Sequence, residues 1–283
     1  MLSFRTTLKI LVTLGILCIG FWIVWSYFAP PPQTPEPLPP LKEKQQIPSE
    51  KTPPPEEAVK PKEDLPRVAV VFDDIGWDRE MIRSLLSLGI PVTLAILPNT
   101  PYQKEAANMA YQKHLDILLH LPMEPRGYPG QNPGPGALLT AMDRRLLMDT
   151  LRKDLDQVPH VMGVNNHMGS RFTEDREHME WLLSELKARR LAFLDSRTTP
   201  RTLGYPLAKS MGLSSWQRDI FLDHEQGKEA VSHQLDQLSQ IAQERRSAIA
   251  IAHPHPQTYL ALKEAIPALK KKVRFVKLSD LSS

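Results

Sequence analysis

One cysteine, Cys18, serves a chain of 283 residues, so no internal disulfide and no thiolate-built zinc site can form. Charge imbalance is almost absent too: 35 Lys and Arg face 32 Asp and Glu, for a net +3. The largest basic run, Lys270-Lys271-Lys272, suits a solvated helix end. A nucleic-acid footprint is therefore excluded. No glycine-rich loop follows the first apolar run, Arg67 to Phe72, which argues against a dinucleotide site. Between Ile10 and Gln33 charge is missing altogether.

That last absence defines a segment. Ile10 to Ala29 is apolar apart from small residues and the hydroxyls of Thr13 and Ser26, and it has the ~20 residues a helix needs to cross a bilayer. Arg5 and Lys9 precede it, and Trp22, Trp25, Tyr27 and Phe28 crowd its far end. Positive charge stays inside and aromatics mark the interface. Residues 1–29 are thus predicted to form a single-pass anchor of the inner membrane, with the N-terminus cytoplasmic and the remainder periplasmic. Tyr27 stands where signal cleavage wants a small residue and Pro30 follows Ala29, so the span is read as retained. Residues 30–66 hold 13 of the 27 prolines, mixed with Glu, Lys, Gln and Thr and without apolar periodicity. They are predicted to be a disordered spacer, which at ~3.1 Å per residue could reach about 110 Å.

Residues 67–283 change texture: short β-branched runs alternate with amphipathic stretches. Strands are predicted at 67–72, 92–97, 115–119, 161–165, 191–194, 219–222, 248–252 and 273–276. Helices are predicted at 78–88, from Thr100-Pro101 onward, from a capping box of Thr140 with Asp143 to about 158, and at 174–190, 228–246 and 258–269. Seven or eight such units imply an α/β domain, either a parallel (β/α) barrel or a doubly wound sheet.

Working residues in parallel α/β folds sit at the C-terminal ends of strands. Those ends carry Asp73-Asp74, His120, Asn166-His167, Asp195, Asp223-His224, and His253 with His255. Five of the nine histidines are among them. Buried charge needs a partner, and Asp with His suits zinc or another first-row divalent ion. Asp223-His224 reads as a helix cap. His114, His160, His178 and His233 read as surface.

These residues also resemble a known pattern. Val71-Phe-Asp-Asp-Ile-Gly76, Leu119-His-Leu-Pro-Met-Glu124, Gly163-Val-Asn-Asn-His-Met-Gly-Ser-Arg-Phe172, Phe193-Leu-Asp-Ser-Arg197 and Ile251-Ala-His253 are similar to motifs of the divergent polysaccharide deacetylases. The resemblance covers about 67–281. It implies a distorted parallel (β/α) barrel of seven to eight strands and metal-dependent removal of N-acetyl groups from a polysaccharide such as peptidoglycan. By position it implies Asp73 as base, His253 as acid and Asp195 as support of that pair. It implies a divalent ion, zinc foremost, on Asp74 with His120 and His167, or with Glu124 in place of one histidine. Asn165 and Asn166 are candidates for the oxyanion or sugar hydroxyls. Arg171 stands in for an arginine motif missing in its usual form, and Tyr128 lies in a Gly/Pro-rich loop that could wall a sugar groove. The rival expectation is a glycan-binding or scaffolding protein that keeps the fold without the activity.

Overall fold

The computed structural model describes residues 65–225 and 227–282. The predicted membrane span, and residues 30–64 of the predicted spacer, lie outside these. Among the described residues no helix is long and apolar enough to cross a membrane.

Nine strands alternate with seven α-helices: β1 Arg67–Ile75, α1 Arg79–Leu85, β2 Thr93–Ile96, α2 Gln103–Gln112, β3 Ile117–Met123, α3 Arg144–Gln157, β4 Gly163–Met168, α4 Arg176–Ala188, β5 Ala192–Asp195, α5 Gly204–Ser210, β6 Ser215–Gln217, β7 Ile220–Phe221, α6 Lys228–Arg245, β8 Ser247–Ala252, α7 Pro256–Leu269 and β9 Arg274–Phe275. All ladders are parallel, in the order β6-β5-β4-β3-β2-β1-β8-β7, with β9 beside the start of β1. Among the described residues no ladder joins β6 to β7, so the barrel is open there.

Two apolar layers follow from this winding. The larger lies between sheet and helices and holds Val68, Val70, Phe72 and the inward faces of all seven helices. The smaller lies on the sheet's other face and gathers Ala69, Val71, Ala95, Leu118, Leu194 and Ile251. Trp216, Leu278 and Leu281 also pack in that smaller cluster. Strands buried on both faces read as continuous apolar runs, which is why β1 and β8 were visible in the sequence.

Several boundaries differ from expectation, each for a local reason. Thr100 does not cap a helix: its hydroxyl donates to Leu97 O (2.9 Å), and α2 starts at Gln103. Asp143 alone caps α3 by accepting from Leu146 N (2.8 Å), while Thr140 is bound to Glu124. His178 is buried, because Asp175 caps α4 and also holds its ring at 2.8 Å. Strand β6 and helix α5 were not anticipated: the first has three residues, and the second contains Gly204 and Pro206, which read as a turn. Strands β3 and β4 run on through His120 and His167, so these histidines lie within paired strands.

Candidate metal centre and acid–base pair

Adjacent residues on a regular strand point to opposite faces. Asp73 and Asp74 nevertheless both reach His120: its Nε2 is 3.1 Å from Asp74 Oδ1 and 3.7 Å from Asp73 Oδ2. The β1–β2 register shifts between Phe72 and Ile75, and Asp74 takes a left-handed φ of 56°. A bulge of this kind re-aims side chains at a strand end. Gly76, at φ +134°, completes the turn, and a Cβ there would fall 2.0 Å from Thr100 Oγ1.

Strand register supplies the histidines. His120 on β3 stands opposite Asn165 on β4, and His167 lies two residues along the same face. His167 Nδ1 is 2.9 Å from Asp74 Oδ1 and 3.1 Å from His120 Nε2. Three donor atoms, one each from Asp74, His120 and His167, thus form a triangle with sides of 2.9–3.1 Å.

Asn165 decides what that triangle contains. Its amide nitrogen donates to Asp73 Oδ1 (2.8 Å) and Ser196 Oγ (3.2 Å), which turns its carbonyl toward His120 Nδ1 at 2.9 Å. The Nδ1 proton of His120 is thereby committed, and in the neutral ring Nε2 presents a lone pair to the Asp74 carboxylate. Asp74 Oδ1 is a buried oxygen that receives no hydrogen bond, despite two ring nitrogens close by. Converging lone pairs need a cation, and a ligating histidine whose other nitrogen donates to a fixed acceptor is the usual support. The residues fit a divalent ion.

Burial would raise the Asp74 carboxyl, but the two imidazoles hold it below the ordinary carboxylate range. Burial also opposes charge on His120, yet the fields of Asp73 and Asp74 favour positive charge at Nε2, a proton or a cation alike, and hold the ring above the usual histidine range. Asp73 is 2% exposed, and burial pushes its carboxyl up against the opposing fields of His120 and His253.

His253, at the end of β8, faces the same region. Burial opposes its charge, but the Asp223 carboxylate and the field of Asp73 raise it to about 9. Asp223 accepts from His253 Nδ1 (2.9 Å), His253 N (2.7 Å) and Thr258 Oγ1 (3.0 Å). The ring also stacks on Phe221 (centroids 5.9 Å apart), and the Arg218 guanidinium lies 3.8 Å from the Phe221 centroid. Arg218 is itself anchored to Ser196 O (2.7 Å) and Arg197 O (3.0 Å). His255 completes a second Asp–His–His group with donor atoms within 4.8 Å. There the Asp223 carboxylate is already taken up by hydrogen bonds from His253 and Thr258.

Asp73, Asp74, His120, His167 and His253 therefore come together. Other anticipated residues lie elsewhere. Glu124 accepts from Thr140 N and Oγ1 (2.6 and 2.7 Å) and pairs with Arg171 (3.3 Å), outside the Asp74 triangle. Asp195 is fully buried and accepts from Arg197 N, Thr202 Oγ1 and Tyr205 N, with no hydrogen bond to Asp73 or His253 among the described residues. It ties the β5 exit to α5, and Asp223 holds the histidine instead. The Asn166 amide bonds Met168 O and Ser196 N, so it braces two strand ends. Asn165 is wholly buried, with its amide spent on Asp73, His120 and Ser196. Tyr128 is partly exposed on the Gly/Pro-rich loop.

Two residues were missed. Asp223 looked like a helix cap, but α6 begins only at Lys228 with Gly227 as its N-cap, which frees Asp223 for His253. Its position at a strand exit was the available signal. Arg218 sits between two very short strands, and no sequence pattern marks it.

The family model described as divergent polysaccharide deacetylase matches residues 70–282. An uncharacterized protein, YibQ, of Escherichia coli is 31% identical over 215 residues, 76% of this chain and 67% of that protein. An uncharacterized protein of Haemophilus influenzae is 31% identical over 215 residues, 76% of each. The crystal structure of an uncharacterized protein, ATU2773, from Agrobacterium tumefaciens superposes with a TM-score of 0.73 at 27% identity, covering 77% of this chain and 89% of that one. With the family model spanning residues 70–282, well over half of the chain, the chain belongs to the divergent polysaccharide deacetylase family.

Proposed function

We propose that the protein removes N-acetyl groups from a glycan outside the cytoplasm, using a divalent ion held by Asp74, His120 and His167. The observation that carries this reading is the triangle of converging donor atoms beside one carboxyl pushed up and one imidazole held protonated. Environments that drive neighbouring titratable groups apart assign a base and an acid. A bound divalent ion, zinc foremost, supplies Lewis acidity toward a water and an acyl oxygen.

The chain's own groups do the rest. Asp73 is fixed by Asn165 through Oδ1 (2.8 Å), and its other oxygen faces the triangle; it takes the proton of the attacking water. His253 carries a proton at neutral pH, oriented by Asp223 and Phe221. It delivers that proton to the amide nitrogen, which cannot leave as an anion. Asp223 acts through His253 and is a positioning residue.

The charge-free stretch from Ile10, preceded by Arg5 and Lys9, supports a membrane-tethered protein with this domain outside, where peptidoglycan is the nearest N-acetylated polymer. The test is release of acetate from N-acetylated glycan by zinc-loaded protein, with Asp73→Asn as the control that keeps the ion and loses the activity. Stoichiometric ion and glycan binding without acetate release would instead favour the scaffolding role.

A further inference from the structure

Trp77 follows the Asp74 turn and is 60% exposed. An indole left in water forgoes a large apolar gain, so its exposure beside a candidate site needs a reason. Its backbone is held on both sides. Gly76 O accepts from Tyr102 N (3.0 Å), and Asp78 caps α1 by accepting from Glu80 N (2.9 Å) and Met81 N (3.0 Å). The ring thus stands on a fixed base.

Two cavities meet at Trp77, and both reach Asp74. One, of about 260 Å³, continues to His167, Asn99 and the loop Asn132–Pro135. The other, of about 210 Å³, continues to Met81, Pro254 and His255. Each is smaller than the ~300 Å³ at which drug-sized pockets begin, and each suits one sugar ring. The first offers amides for hydroxyls. The second joins an apolar wall of Ile75, Trp77, Met81 and Pro254, which fits the C–H face of a sugar, to the carboxylates of Asp74 and Asp78 and the imidazole of His255, which fit its hydroxyls.

We propose that Trp77 is the platform that seats the sugar next to the reacting one, so that two consecutive residues of a glycan chain bind across the Asp74 corner. The reacting N-acetyl group occupies the cavity shared by Asp74 and His167. Its neighbour lies over the indole toward Pro254 and His255. This rests on the deacetylase reading and adds to it the residue that engages the neighbouring sugar.

The test uses the full zinc-loaded chain and N-acetylglucosamine oligomers of one to four units, with binding followed by calorimetry and acetate release followed in parallel. Wild type should bind the trimer about tenfold more tightly than the monomer. Trp77→Ala should bring the two within about twofold while leaving zinc content and thermal unfolding unchanged, and Trp77→Phe should restore most of the gap. Equal chain-length dependence in wild type and Trp77→Ala, with acetate still released, overturns the Trp77 assignment alone. No binding and no acetate from any oligomer overturns the assignment and the deacetylase reading with it.

Discussion

Two groups of one aspartate and two histidines stand at strand ends, Asp74–His120–His167 and Asp223–His253–His255. Their composition is the same, yet their chemistry differs. In the first, Asn165 commits the far nitrogen of His120, and three donor atoms converge within 2.9–3.1 Å of one another. In the second, the aspartate accepts three hydrogen bonds, and His253 points its own N–H at it. One group asks for a cation and the other stores a proton. Residue type alone assigns neither; accounting for each hydrogen does.

The contrast breaks if the wrong group binds metal, and this carries the largest expected effect. Asp74→Ala or His120→Ala should leave the protein without zinc by elemental analysis and cost activity on the order of 10⁴-fold. His255→Ala should keep full zinc content. Asp73→Asn comes next: zinc should stay stoichiometric while acetate release falls on the order of 10³-fold in a steady-state assay.

Asp223→Asn sharpens the second group. Its carboxylate holds His253 up at about 9, so without it the imidazole should lose its proton at lower pH. A group that must be protonated to act then fails earlier as pH rises, and the alkaline limb of the pH–rate profile should move down. The rate at neutral pH should drop about 10- to 100-fold, with zinc content unchanged.

A third buried carboxylate shows what burial does with neither cation nor imidazole. Asp154 on α3 is 2% exposed, its Oδ2 receives no hydrogen bond, and burial raises it to about 7 with only Asn99 opposing. Its folded value lies above the ordinary one, so its protonated form adds stability that is complete below about pH 4 and is lost as pH rises through about 7. Asp154→Asn should be the more stable protein at pH 8.5, by about 1–3 kcal/mol in denaturant unfolding, with the difference shrinking at low pH.

Much of this was legible in advance. The runs Val68–Phe72 and Ala248–Ala252 are continuous apolar strands, and polar residues at their ends marked Asp73, Asp74 and His253. Tertiary choices were not legible. The bulge that turns two adjacent aspartates to one site is a register shift against β2, which has no local signature. Glu124 sits at ligand spacing from His120, but Thr140 and Arg171, from other parts of the chain, hold it away. Asp195 and Asp223 both follow strands, and only packing separates the brace from the partner of His253.

Anomalous diffraction at the zinc edge from zinc-loaded crystals tests the central claim most directly. A single strong peak within reach of Asp74, His120 and His167, with none at Asp223 and His255, is the expected result. A peak at the second group, or no peak at either, would contradict it.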